Sequence, residues 1–300
     1  MSPCRLGHSA YPGTFVLGCV LLYCVATHAR AFWNSRHHLA SGKIPHSRHH
    51  VAFVHVSDAP VMSPAATAKG EADLDTLATL NLRLYCERHG YKYIRLVVPS
   101  VPDRSGVWLK PMYISTVIRE FAITVLMDFD VLLRNDDIPL FDLLNQLGFK
   151  EDTLILQALD PVDEAKDPPN SVIWADGSRV QQANTGFMVF RQHDRVLDIL
   201  QTWTRCPDDI EGCSFSKHGS FRDQLAWNQF IRPNLTNTEL VLAPCETANG
   251  YGFGAYPECR GEIVSHWWLS KSELVDLLRA KLLNHYVTQD IINIDAWVID

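Results

Sequence analysis

The chain is predicted to fold as an α/β domain around a mostly parallel central sheet. Three observations predict it. Over roughly the first 130 residues after His50, strand-like and helix-like segments alternate, as in successive βαβ units. The run Ala122-Ile123-Thr124-Val125-Leu126-Met127 is β-branched and too short for a capped helix, so it reads as a buried strand. It ends in Asp128-Phe129-Asp130, at the carboxyl edge where open α/β sheets place their ligands.

Taken in order, residues 50–57 form the first strand and 58–64 a loop. Residues 71–89 form a helix, because Leu74, Leu77, Leu80, Leu84 and Tyr85 recur near the helical period and Gly90 stops it. Residues 91–98 are a strand closed by Pro99, and 107–121 a helix after a turn containing Pro and Gly. The Asp-x-Asp strand follows, then a short amphipathic helix over 138–147 and a strand over 153–159. Residues 160–177, rich in Asp and Pro, read as a long loop. Residues 183–191 are a strand with a polar start, 194–204 and 221–231 are helices, and 262–268 a late extended segment. Ser270 is a suitable N-cap for the last helix, with Glu273 at the capping-box position.

Residues i and i+2 at the end of a strand point to one side, so Asp128 and Asp130 are expected to share one hard cation. An ion held by so few carboxylates keeps positions that phosphate oxygens fill. Asp-x-Asp also arises by chance, as a strand ending in a polar turn.

Composition bounds the rest. Of 300 residues 47% are hydrophobic, with thirteen Phe and eight Trp, ample for one large core. A net charge of −7 offers no basic face to neutralise phosphates, so no nucleic-acid partner is expected. No Gly-x-Gly-x-x-Gly or Walker loop occurs, which disfavours ordinary dinucleotide and P-loop binding. Residues 1–11 read as a tail, 12–28 as an uncharged apolar segment, 29–50 as a polar, His-containing stem, and 51–300 as the folded domain. The apolar segment fits a transmembrane signal-anchor or a signal peptide cleaved after Ala29-Arg30-Ala31, and either would send the domain into the secretory pathway. There an oxidising lumen would allow Cys206–Cys213 and Cys245–Cys259 disulfides, leaving Cys86 as a buried thiol, and Asn234-Leu235-Thr236 is an acceptor sequon.

Several spaced motifs resemble a known family. They are Asn81 with Tyr85-Cys86-Glu87-Arg88-His89-Gly90-Tyr91, then Trp108-Leu109-Lys110, then Asp128-Phe129-Asp130. Asn184-Thr185-Gly186-Phe187 with Arg191, Asp223-Gln224, and His266 with Lys271 complete the set. In this order they resemble the GT-A fold retaining glycosyltransferases typified by fungal Golgi α-galactosyl- and α-1,6-mannosyltransferases and plant xyloglucan xylosyltransferases, over roughly residues 51–285.

The resemblance implies a single nucleotide-sugar-binding domain that moves a hexose or pentose to a glycan hydroxyl with retention of configuration. UDP-galactose, UDP-xylose and GDP-mannose are the implied donors. Asp128, Asp130 and His266 would hold Mn²⁺, a suitable ion for mixed carboxylate and imidazole ligands. Asp128 would also meet the ribose, and Lys110 and Lys271 the diphosphate. Asn184 and Gly186 would line the sugar, with Asp223 and Gln224 beside the reacting carbon as the catalytic pair. The implied setting is the Golgi membrane, as a single-pass type II protein with a lumenal domain or its secreted form, alone or in an oligomer with related transferases.

The sequence departs from the family at Arg222, where an acid often precedes Asp-Gln, and at the bulky Trp-Trp-Leu-Ser after His266. Without the family context, His266 reads as a core histidine, Asp223 as a helix cap and Lys110 as a surface lysine. Arg191 then reads as the partner of an acid, and Trp267 and Trp268 as packing. Two rival functions stand: a lumenal metal-dependent phosphohydrolase or nucleotidyltransferase, and a catalytically lapsed domain that partners an active homologue.

Overall fold

The computed structural model describes residues 51–59, 73–162, 172–175, 178–219, 221–250 and 256–288. The predicted tail, anchor and stem lie outside the described residues, among which no helix is long and apolar enough to cross a membrane. The elements are β1 (Val51–Ser57), α1 (Leu74–His89), β2 (Lys92–Val97), α2 (Leu109–Ile118), β3 (Ile123–Met127), β4 (Val131–Leu133), α3 (Leu140–Gln146) and β5 (Ile155–Leu159). They continue with β6 (Val172–Ala175), β7 (Ser178–Gln181), β8 (Ala183–Arg191), α4 (Asp194–Asp209), α5 (Arg222–Ala226), β9 (Leu240–Ala243), α6 (Cys245–Ala248), β10 (Val264–His266) and α7 (Lys271–Thr288).

Six strands form the central sheet in the order β2-β1-β3-β8-β5-β9. β1 is parallel to β2 and β3, and β5 to β9. The expectation of a mostly parallel sheet therefore holds, with one consequential exception: β8 runs antiparallel to both neighbours. Its first residues thus reach the same edge as the last residues of β3 and β5. A polar start to a buried strand is thereby explained, because Asn184, Thr185 and Gly186 stand where the chain leaves Met127 and Leu159.

Alternate residues of each strand feed opposite faces. Val51, Phe53, Val125, Met127, Phe187 and Val189 pack toward α1 and α3. Ala52, Val54, Leu126, Met188 and Phe190 pack toward α2 and α4, with Trp203 and Trp227 at 4.8 Å between ring centres. α7 lies on α1 and covers Leu132 and Trp267. At α1 Gly90 ends the helix as expected, at φ 72°, while the start moves from residue 71 to Leu74, where Asp73 caps it by accepting from the Thr76 N–H at 2.8 Å.

Several predicted boundaries shift. Residues 172–175 and 178–181 pair as an antiparallel ribbon, so the predicted loop 160–177 contains a strand. α4 runs past Thr204 to Asp209, through Pro207 in its last turn, which the buried Cys206–Cys213 disulfide holds. The predicted helix 221–231 is α-helical only to Ala226 and continues as a π turn over Trp227–Ile231. That turn lets Asn228 bond both the N–H (2.7 Å) and the C=O (2.8 Å) of Ala183, clamping the start of β8. Glu273 accepts from the Ser272 hydroxyl at 2.8 Å rather than closing the predicted capping box with Ser270. Cys245 and Cys259 form the second expected pair, and Cys86 is a buried free thiol.

His55, on β1, is 1% exposed. Its Nδ1 meets the Tyr93 hydroxyl at 3.0 Å, which donates onward to Thr79, so Nδ1 carries the proton and the buried Nε2 has no partner. Burial first, then the nearby Arg95 charge, pushes its pKa down to about 3. The unfolded chain therefore takes up this proton before the native one does. Stability attributable to a neutral His55 is whole above about pH 6.5 and falls by about 1.4 kcal/mol per pH unit as the pH drops toward 3. In urea unfolding between pH 7 and 4.5, His55→Asn should flatten this slope relative to the wild type. Parallel slopes would show that His55 does not govern acid stability.

Candidate metal and diphosphate site

Asp128 and Asp130 lie just past β3, and the convergence expected from strand pleating has a different cause. The strand ends at Met127, and residues 128–130 form a turn in which the Val131 N–H returns to the Asp128 carbonyl at 3.1 Å. The turn is fixed to β8 by the Asp128 N–H, which donates to the Gly186 carbonyl at 2.7 Å. Phe129 props it from behind, its ring 4.3 Å from the His55 ring and 4.8 Å from the Arg95 guanidinium. β4 then pairs antiparallel with β10, setting Val131 opposite His266. A residue from the far end of the chain is thus brought to the Asp-x-Asp turn by one short ladder.

Ligand atoms of Asp128, Asp130 and His266 all lie within 4.8 Å of one another, a set able to hold a divalent ion. His266 Nε2 is 3.1 Å from Asp130 Oδ1, and its Nδ1 is 3.1 Å from Asn249 Oδ1. Asn249 Oδ1 accepts, so Nδ1 carries a proton and Nε2 is the nitrogen turned to the cluster, the ring orientation that metal-binding imidazoles need. His266 is therefore no ordinary core histidine, although it is 5% exposed.

Two lysines flank the carboxylates. Lys271 Nζ is 2.8 Å from Asp130 Oδ2, at the start of α7. Lys110, 8% exposed, reaches Asp128 at 3.1 Å and Asp223 at 3.4 Å, so it is a buried site residue and not a surface lysine. Burial opposes its charge, but Asp128 and Asp223 outweigh that and hold its pKa above the ordinary lysine range. Asp130 is driven up by burial and more strongly down by His266 and Lys271, and it stays ionised. Asp128 is pushed up by burial, with Lys110 pulling the other way.

Asp223 does not cap its helix. It is 1% exposed, sits inside the first turn of α5, and accepts from the Thr185 hydroxyl at 3.1 Å. Gln224 is held at both ends of its amide: Oε1 accepts from the Thr185 N–H at 3.2 Å and Nε2 donates to Asp160 at 2.5 Å. Asn184 donates to Asp160 at 2.8 Å and accepts from the Gly186 N–H at 2.7 Å. Among the described residues Arg191 pairs with no acid; it donates to the carbonyls of Thr153 and Lys150 and stacks on Phe149, away from the cluster. Trp267 is buried, whereas Trp268 lines the cleft beside the His266 ring, 5.0 Å between centres.

Sequence reasoning missed two members. Asp160 sits at the carboxyl end of β5 and collects amide donors from Asn184, Gln224 and Asn249 (2.9 Å). Burial raises its pKa, with those hydrogen bonds resisting. Its position one residue beyond a predicted strand, level with the Asp-x-Asp turn, was the available signal. Asn249 had none, since it follows a four-residue helix in a stretch without periodicity.

The Asp128, Asp130 and His266 cluster, the two lysines, Asp223 and the linked Asp160, Asn184 and Gln224 line one cleft of about 880 Å³. Val56, Leu74 and Asp75 also line it.

A glycosyltransferase involved in the glycosylation of the major capsid of PBCV-1 shares the fold, with a TM-score of 0.53 at 13% identity over 77% of this chain and 99% of that one. The apo form of mouse xyloside xylosyltransferase 1 aligns with a TM-score of 0.43 at 14% identity, covering 74% of this chain and 98% of its own. No protein-family model matches the chain, and no curated protein sequence matches it significantly. What is shared is a mixed α/β fold with a mostly parallel central sheet, consistent with the GT-A type.

Proposed function

We propose that this protein is a metal-dependent retaining glycosyltransferase, akin to the fungal Golgi and plant xyloglucan enzymes its motifs resemble. It takes a sugar from UDP-galactose, UDP-xylose or GDP-mannose to a glycan hydroxyl. The observation that carries the reading is the convergence of Asp128, Asp130 and His266, between two lysines, at the carboxyl edge of the sheet and inside a large cleft. The fold shared with a known glycosyltransferase supports it. Two cysteine pairs and the apolar segment at 12–28 support a lumenal, Golgi-type setting on a type II anchor.

Asp128, Asp130 and His266 would hold Mn²⁺, which when bound supplies Lewis-acid stabilisation to the departing diphosphate. Lys271 and Lys110 add positive charge beside that leaving group. Asp160, Asn184 and Gln224 present a polar wall to the sugar hydroxyls. The other cleft carboxylates are all engaged: Asp223 by Lys110 and Thr185, Asp160 by three amides, and Asp75 by Arg95 at 3.5 Å. That favours front-face displacement over a covalent intermediate. The bond from the anomeric carbon to the phosphate oxygen breaks, and the diphosphate keeps the electron pair. The acceptor oxygen bonds from the same face, its proton passing to the leaving phosphate. Gln224, fixed in orientation, stabilises positive charge on the sugar ring.

The reading is tested by incubating the protein with Mn²⁺, each donor and a glycan array. Release of UDP or GDP with a glycosylated, configuration-retained product is expected; no product with any donor would contradict it. Gln224→Ala should lower turnover by about two orders of magnitude with donor affinity changed only severalfold. Equal losses in both would make Gln224 a binding residue.

A further inference from the structure

Phe221 is the one non-glycine residue with positive φ among the described residues, at φ 59° and ψ 15°. An aromatic residue is disfavoured there, whereas glycine would adopt the same turn freely. Strain of this kind persists where something else compensates it. Core burial does not, since the Phe221 ring is 64% exposed. Ring stacking does not either: Arg222 places its guanidinium over Phe215, and no ring or cation contact involves Phe221 among the described residues. The backbone around it is nonetheless firmly set. Its carbonyl accepts from the Leu225 N–H at 3.0 Å, and Ser105 ties the preceding strand of chain through the Lys217 carbonyl at 2.8 Å and the Gly219 carbonyl at 3.1 Å.

The ring lines the cleft. So does Leu269, 65% exposed, and these are two of only four large exposed hydrophobic side chains among the described residues. Each stands two residues ahead of a charged group of the site, Phe221 before Asp223 and Leu269 before Lys271. An apolar pair is therefore displayed at the cleft on the two segments that deliver those groups.

Resting on the transferase reading, we infer that Phe221 is the stacking platform for the acceptor sugar, with Leu269 as its apolar flank. The donor's charged part is accounted for by the metal cluster and the lysines, and its sugar by the wall of Asp160, Asn184 and Gln224. The acceptor must meet the reacting carbon beside Asp223 and Gln224, which is where the Phe221 segment leads. A pyranose carries an apolar C–H face and a polar rim, matching an exposed ring set among polar groups. Phe221 is in this account a specificity determinant, holding the acceptor hydroxyl in line.

The test uses the full chain with Mn²⁺, the nucleotide sugar that binds it, and methyl glycosides of xylose, glucose, galactose and mannose as acceptors. Nucleoside diphosphate release is followed against glycoside concentration. Phe221→Gly removes the ring while suiting the backbone, so its melting temperature should be unchanged or higher. Its acceptor KM should rise at least tenfold, with donor KM and release to water unchanged, and Phe221→Trp should restore the wild-type acceptor KM. An unchanged acceptor KM in Phe221→Gly overturns the platform. So does a rise in donor KM of equal size, which would give the ring to the donor. Wild-type release unaffected by every glycoside, in a protein that binds nucleotide with metal, overturns it as well. A chain that binds no nucleotide fails earlier, at the transferase reading itself.

Discussion

Replacing Asp130 with Ala should abolish metal-dependent nucleotide binding and lower transfer by about three orders of magnitude or more, with the fold intact. Asp130 is 7% exposed and is the carboxylate that His266 and Lys271 share. Its removal leaves two basic groups facing the cleft without their acid. They are close to solvent on the cleft side, so the stability change should stay within about 1–3 kcal/mol. Asp137→Ala is the matched control: its carboxylate is exposed at 85% and, among the described residues, pairs only with Arg88. Calorimetric titration of Mn²⁺ with UDP or GDP reads the difference directly. Full nucleotide binding by Asp130→Ala, still dependent on the metal, would remove the cluster from the account.

Gly186→Ala should be nearly as damaging, for a steric reason. A Cβ at Gly186 would overlap the His266 ring and come within 3.0 Å of Asp128 Oδ2 and of Asn184 Oδ1. His266 cannot yield cheaply, because its ring is buried and bonded at both nitrogens. Two of the three groups proposed to hold the ion would be displaced together. Metal affinity should fall by about 10- to 100-fold, and stability by about 1–3 kcal/mol. Gly106→Ala, on the same cleft but with nothing within 4 Å of the added carbon, should bind metal as the wild type does. If both variants bound metal normally, the close approach of β8 to the cluster would have no functional weight.

Local pattern carried much of this site. The apolar run before Asp128 made β3 legible, and the polar opening of an otherwise buried strand marked Asn184-Thr185-Gly186. Long-range pairing was not legible. Nothing in residues 183–191 says that they run antiparallel, and that reversal is what sets Gly186 beside Asp128. The pleating argument for Asp128 and Asp130 reached the right neighbours by the wrong geometry, since a turn, not a strand, brings them together. Asp160 escaped because its role depends on three amides drawn from β8, α5 and the segment after α6. Phe221 escaped for another reason: positive φ at an aromatic residue contradicts local preference, so no local pattern announces it.

The central claim is that one cleft takes a nucleoside diphosphate through a bound divalent ion. Thermal-shift titration of the full chain with UDP and with GDP, each with and without Mn²⁺, tests it most directly, because a ligand that binds only the native state raises the melting temperature by mass action. The account predicts a rise with one nucleotide that requires Mn²⁺ and is absent in Asp130→Ala. No rise with either nucleotide, or an equal rise without the metal, would contradict it.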